Sequence, residues 1–139
     1  FDAPPFDAPV NVMIPNIGTL IGYTIESAVI DHTQPLPITL VWLAENATPL
    51  PYTVFVQLLN TGGQVIAQSD SAPAQNSRPT TGWRSGEYIT DAHLLQFNEH
   101  AAAGTATLIV GMYDPETFER VPIVPGVDAL TVAVDLTVR

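Results

Sequence analysis

The sequence predicts an all-β protein, a single immunoglobulin-like antiparallel β-sandwich of about seven to nine strands. Three observations lead there. Apolar residues recur at period two in one segment after another, and no stretch sustains the 3.6-residue period of a helix. Gly, Pro, Asn and Asp punctuate these segments where turns are needed. The 139 residues are 46% hydrophobic and only 13% charged, which is enough apolar material for one buried core and argues against disorder. A closed barrel is the alternative arrangement of the same strands.

The chain divides into a Pro-rich lead-in over 1–15 and a sandwich domain over 16–139. Residues 1–10 nearly duplicate a Phe-Asp-Ala-Pro unit, with prolines at 4, 5 and 9. Proline removes backbone donors and fixes φ, so this stretch reads as an extended tether, or else as a strip docked through Phe1 or Phe6. A first strand is expected at 17–23, with Gly18 and Gly22 inside it. The next, Leu36–Ala44, is apolar on both faces and belongs in mid-sheet or under a neighbouring element, with Trp42 in the core. Residues 52–60 and 64–69 alternate cleanly across Asn60-Thr61-Gly62-Gly63 and form a β-hairpin.

A long loop follows over 70–86, with Pro73, Pro79, Gly82 and Gly86, and then a strand over 86–97. Residues 99–104 are too few to nucleate a stable helix. A further strand at 105–113 meets the turn Asp114-Pro115-Glu116-Thr117, and 118–124 is expected to return as its partner, interrupted by Pro122. The last strand, 131–138, should point Val132, Val134, Leu136 and Val138 inward.

Charge narrows the function. Fourteen acidic residues face four arginines and no lysine, a net charge of −10. A nucleic-acid partner would need a basic stripe to neutralise phosphates, and anionic membrane surfaces are disfavoured for the same reason. Neutral glycans, cations and protein surfaces remain as partners. No apolar run reaches the roughly 18–20 residues of a membrane span, so no membrane insertion by this chain is expected. The absence of cysteine excludes disulfides, thiolate metal sites and cysteine nucleophiles. The chain starts at Phe1 with neither an initiator Met nor a signal peptide, as expected of a domain cut from a longer protein.

Candidate binding residues concentrate between 70 and 93. Trp83, with Arg78, Arg84, Glu87 and Tyr88, has the makings of a sugar platform: an aromatic face for a pyranose ring, and guanidinium and carboxylate groups for its hydroxyls. The alternative is that Trp83 plugs the open end of the sandwich while Arg78 or Arg84 pairs with a local acid. Glu87, Asp91 and His93 share one strand face, with Asp91 and His93 about 7 Å apart, and suit a metal bridge between those two, an acid/base pair or a structural hydrogen-bonding role. Asp114, Glu116 and Glu119 hint at calcium around a turn, but their spacing is not that of an EF-hand and the turn accounts for them without metal. Gly-x-Ser-x-Gly, phosphate-loop and His-Glu-x-x-His motifs are absent, so no catalytic residue, metal or cofactor is expected.

Taken in order, several short pieces form a wider pattern: Leu20-Ile21-Gly22-Tyr23, Leu40-Val41-Trp42, Tyr52-Thr53-Val54-Phe55-Val56-Gln57-Leu58 and Gly63-Gln64-Val65-Ile66-Ala67-Gln68-Ser69-Asp70. Pro79-Thr80-Thr81-Gly82-Trp83-Arg84-Ser85-Gly86-Glu87, Asp91-Ala92-His93, Val110-Gly111-Met112-Tyr113-Asp114 and Glu119-Arg120-Val121-Pro122 complete it. Over about 17–138 the chain resembles the C-terminal β-sandwich domain of multi-spanning bacterial membrane proteins that look like lipid-phosphate-sugar-dependent glycosyltransferases. The resemblance implies a non-catalytic accessory module outside the cytoplasmic membrane, attached through its parent protein. Its partners would be cell-envelope glycan or the parent's membrane domain. It brings no catalytic residues, because the transferase chemistry would lie in the membrane portion. A protein–protein or adhesion module without a ligand is the alternative.

Overall fold

A computed structural model of the chain describes residues 2–139; Phe1, one of the two phenylalanines named for the docked alternative, lies outside the described residues. The strands are β1 (Ala8–Ile14), β2 (Gly18–Ile25), β3 (Val29–Ile30), β4 (Leu36–Ala44), β5 (Thr53–Asn60), β6 (Val65–Ser71), β7 (Tyr88–Phe97), β8 (Gly104–Tyr113) and β9 (Leu130–Val138). They pair in the order β1-β2-β4-β7-β6-β5-β8-β9-β3. Every pairing is antiparallel except β3 with β9.

The all-β class holds, but the strands form one continuous, curled mixed sheet, closer to a half-barrel than to two separate sheets. The link lies at β7. It pairs with β4 from Leu95 back to Tyr88, yet meets β6 only at Ala67↔Phe97 and Gln68↔Gln96. The two halves curl over a common core that draws Leu40 and Trp42 from β4, Val54, Val56 and Leu58 from β5, and Leu108, Val110 and Met112 from β8. The expected hairpin forms as β5–β6, with Gly63 supplying a φ of 79° in its turn.

Three segments depart from expectation. The lead-in is not all tether: Ala8–Ile14 is an edge strand on β2, and the Phe6 ring covers Gly22, where a Cβ would collide with it. Edge position is what tolerates Pro9, since its missing N–H need face no ladder partner. The ladder shifts between Pro9 and Val12, where Asn11 adopts a φ of 56°.

Residues 118–124 do not return as a strand. Only an isolated Tyr113↔Arg120 bridge forms, with a tight Val124↔Val127 bridge beyond it, consistent with Pro122 denying a ladder donor.

In β9 the inward series breaks. Leu136 and Val138 are buried, but Val132 is half-buried and Val134 is 59% exposed. The pairing with β8 shifts twice and Asp135 has a φ of 56°, a bulge that re-aims the residues before it.

Candidate functional site

β7 is the strand on which the site is built. Its even turn of the pleat buries Ile89, Asp91, His93 and Leu95, while Thr90, Ala92 and Leu94 face out. Two polar residues are thereby carried into an apolar interior, which is costly unless every polar atom finds a partner. They do. Asp91 Oδ2 accepts from Trp42 Nε1 at 3.1 Å and from His93 Nε2 at 2.9 Å. Its Oδ1 accepts from the Ala74 backbone N–H at 2.9 Å. On the far side of the imidazole, His93 Nδ1 meets Ser69 Oγ at 2.9 Å. In the tautomer with Nε2 donating to Asp91, Nδ1 accepts from the Ser69 hydroxyl. Among the described residues, no buried side-chain nitrogen or oxygen lacks a partner.

This Trp42–Asp91–His93–Ser69 relay shares its residue types with a hydrolytic triad. The Asp91 and His93 side chains, however, expose no surface. The relay therefore ties β4, β6, β7 and the loop after β6 together across the core. Ala74, its contact in that loop, begins a run of three residues with positive φ (Ala74 56°, Gln75 53°, Asn76 69°). Left-handed backbone is unfavourable for alanine and glutamine, and the Asp91 bond to Ala74 is one of the contacts that hold it.

The 70–86 connection is closed a second way. Arg78 grips Glu87 bidentately, Nε to Oε2 and Nη2 to Oε1, both at 2.6 Å. The Arg84 backbone N–H adds a bond to Glu87 Oε1 at 3.0 Å. The Arg78 hydrogen bonds hold the Glu87 carboxyl below its usual range, and Glu87 in turn raises Arg78. Thr80, fully buried, staples the loop to the segment before β5, its hydroxyl bonded to Thr48 Oγ1 at 2.7 Å and the Tyr52 N–H at 3.1 Å.

Trp83 is 2% exposed. Its ring lies against Trp42 with centroids 6.3 Å apart, and its Nε1 donates to the Arg78 carbonyl at 2.9 Å. The platform reading of Trp83 is therefore corrected: both its faces are spent inside the protein, and it plugs the end of the core. Arg78 and Glu87 are likewise occupied with each other, and Asp91 and His93 lie too deep to meet a ligand. What remains at the surface is Arg84, Ser85, Gly86 and Tyr88, which with Glu87 and the lead-in residues Asp2 and Pro4 line an open hollow of about 690 Å³.

Asp114, Glu116 and Glu119 stay around their turn, where Asp114 Oδ1 accepts the Glu116 N–H at 2.9 Å. Among the described residues, no group of three His, Asp or Glu side chains converges as a metal site would require. No helix of the described residues is long and apolar enough to cross a membrane. The residues that the sequence did not single out are Ser69, Trp42 as a hydrogen-bond donor, and the Thr48–Thr80 pair. Neither Ser69 nor the Thr48–Thr80 bond, 32 residues long in sequence, offered a signal, because both contacts join segments distant in the chain.

Fold and site together define an all-β module with a polar relay inside its core and an open hollow beside the connection from β6 to β7. Compared with protein-family models, curated proteins and solved structures, the chain matches none.

Proposed function

We propose that this chain is a non-catalytic, extracytoplasmic accessory module of a membrane-bound glycosyltransferase-like protein, and that it contacts cell-envelope glycan. In this reading the two halves of the curled sheet act as the faces of an immunoglobulin-like sandwich, and the parent protein holds the module at the cytoplasmic membrane. One observation carries the non-catalytic part. The acids and bases that the sequence offers for chemistry, Glu87, Asp91 and His93, are each committed to internal partners. The hollow bordered by Arg84 and Tyr88 supplies a contact surface for saccharide hydroxyls and a ring face.

Calorimetric titration of the purified chain with cell-envelope saccharides tests the proposal, with Arg84→Ala and Tyr88→Ala as controls. Binding weakened by about tenfold in each variant supports it, as the loss of one well-placed contact would give. Absence of binding to every saccharide would leave only a structural role. Covalent labelling of Ser69 by a fluorophosphonate would overturn the non-catalytic reading.

A protein–protein module is the second reading, favoured by the β1 edge. Val12 and Met13 are 37% and 51% exposed on a strand with one side open to further pairing.

A further inference from the structure

The outer face of β5, β6 and β8 holds a cluster that the core does not require. Phe55 lies there, in register with Asp70 on β6 and Gly111 on β8. Its ring covers Gly111, where any Cβ would collide with it. Tyr113 and Phe118 extend the row, with centroid spacings of 6.2 and 5.8 Å and both ring pairs tilted by 32°. The row climbs from buried Phe55 through half-buried Tyr113 to Phe118, 72% exposed. The Arg120 guanidinium lies 4.2 Å from the Phe55 centroid and 3.5 Å from Asp128 Oδ1. Tyr113 Oη donates to Asp70 Oδ2 at 2.8 Å, and Gln57 follows Phe55 on the same face. Phe55, Gln57, Asp70, Tyr113, Phe118 and Arg120 line an open hollow of about 230 Å³.

Phe118 is the residue that folding alone leaves unexplained. Its φ is 62°, a region that disfavours bulky side chains, and its ring faces water. We propose that this hollow binds one ring of a neutral saccharide. Phe118 and Tyr113 offer stacked aromatic faces to the C–H side of a pyranose. Asp70 has a second carboxylate oxygen beyond the one Tyr113 engages, and with the Gln57 amide and the Arg120 guanidinium it provides acceptors and donors for ring hydroxyls. The volume lies below the roughly 300–1,000 Å³ of pockets for drug-sized ligands, and so suits one ring of a chain that continues into solvent. The net charge of −10 selects against acidic glycans. The inference rests on the glycan-contact reading above but places a contact on a different face from Arg84 and Tyr88.

The test is calorimetry with maltohexaose, cellohexaose, mannohexaose and chitohexaose, and with polygalacturonate as the anionic comparator. The wild-type chain should bind at least one neutral oligosaccharide, with affinity reduced about tenfold or more in Phe118→Ala and Asp70→Asn. Phe118→Gly separates binding from folding. Glycine accepts the positive φ, so this variant should melt no lower than wild type while losing the same affinity. Binding unchanged in the Phe118 variants but lost in Arg84→Ala overturns the site and keeps the glycan reading. Binding to none of these sugars overturns the site, absence of binding to the cell-envelope saccharides as well overturns the glycan reading, and preference for polygalacturonate overturns the neutral class.

Discussion

Asp91 holds the indole N–H of Trp42, 49 residues away in sequence, at 3.1 Å, in an interior where neither side chain meets water. The carboxylate also receives His93 and Ala74, so three donors converge on one acid. Asp91→Asn turns an N–H₂ on at least one of these donors in either amide orientation and can satisfy only part of the set. It should destabilise the chain by about 3 kcal/mol, measured by urea unfolding. Ser69→Ala removes only the outer link and should cost about 1 kcal/mol. Equal losses in the two variants would show that the relay is not centred on Asp91.

The Arg78–Glu87 pair predicts a pH dependence. Glu87 titrates below its unfolded value because Arg78 hydrogen-bonds its carboxylate. Its contribution is therefore present above the unfolded pKa of 4.5 and is lost as pH falls through the lower folded value. Both side chains are about a third exposed, so solvent screening limits the gain. Glu87→Gln should cost about 1 kcal/mol at neutral pH. The gap to wild type should close progressively below the unfolded pKa. A gap independent of pH would assign the effect to packing.

Phe6 predicts how the lead-in is held. Phe6→Ala uncovers Gly22 and removes the only large side chain of 2–7 packed on β2. Amide hydrogen exchange should speed in β1 and in the Asp7–Tyr23 bond, while β4 and β7 keep wild-type protection. Uniform acceleration throughout the sheet would mean that β1 is integral to global stability.

Tyr113 gives a spectroscopic marker for the outer face. Burial and the hydrogen bond to Asp70 push its phenol up to about 12. The raised value means that its contribution to stability is present below the ordinary value of 10.0 and is lost as pH rises through about 12. Ultraviolet titration should show a late phenol that is absent in Tyr113→Phe and shifted down in Asp70→Asn. A late phenol that survives in Tyr113→Phe would assign the signal to another tyrosine.

These cases show where sequence was informative and where it was not. The strands at Leu36–Ala44 and across the β5–β6 turn were legible because burial on one or both faces leaves a direct trace in residue alternation. Val134 was misassigned because a bulge at Asp135 changes the phase, and no residue type there announces it. Ala8–Ile14 was hidden by Pro9, whose breaker signal is real in a central strand but void on an edge. For the site, alternation placed Asp91 and His93 together on one face but could not tell inward from outward, since both faces of β7 carry polar residues. Trp83 was ambiguous for a related reason: an aromatic residue in a Gly- and Pro-rich loop has the same local sequence whether it caps a core or faces solvent.

The strand order has a kinetic consequence. β4 must find β7 across the intervening β5–β6 hairpin, β5 must find β8, and β3 joins β9 only after more than a hundred residues have been arranged. Of the eight seams in the sheet, β1–β2, β5–β6, β6–β7 and β8–β9 join consecutive strands, and β6–β7 is just two residue pairs long. Such non-local pairing is slow, on the order of milliseconds to seconds for all-β topologies. The β5–β6 hairpin can close early. The Trp42–Asp91 bond cannot, because it spans the β4–β7 seam, so indole fluorescence at Trp42 should report a late event in refolding.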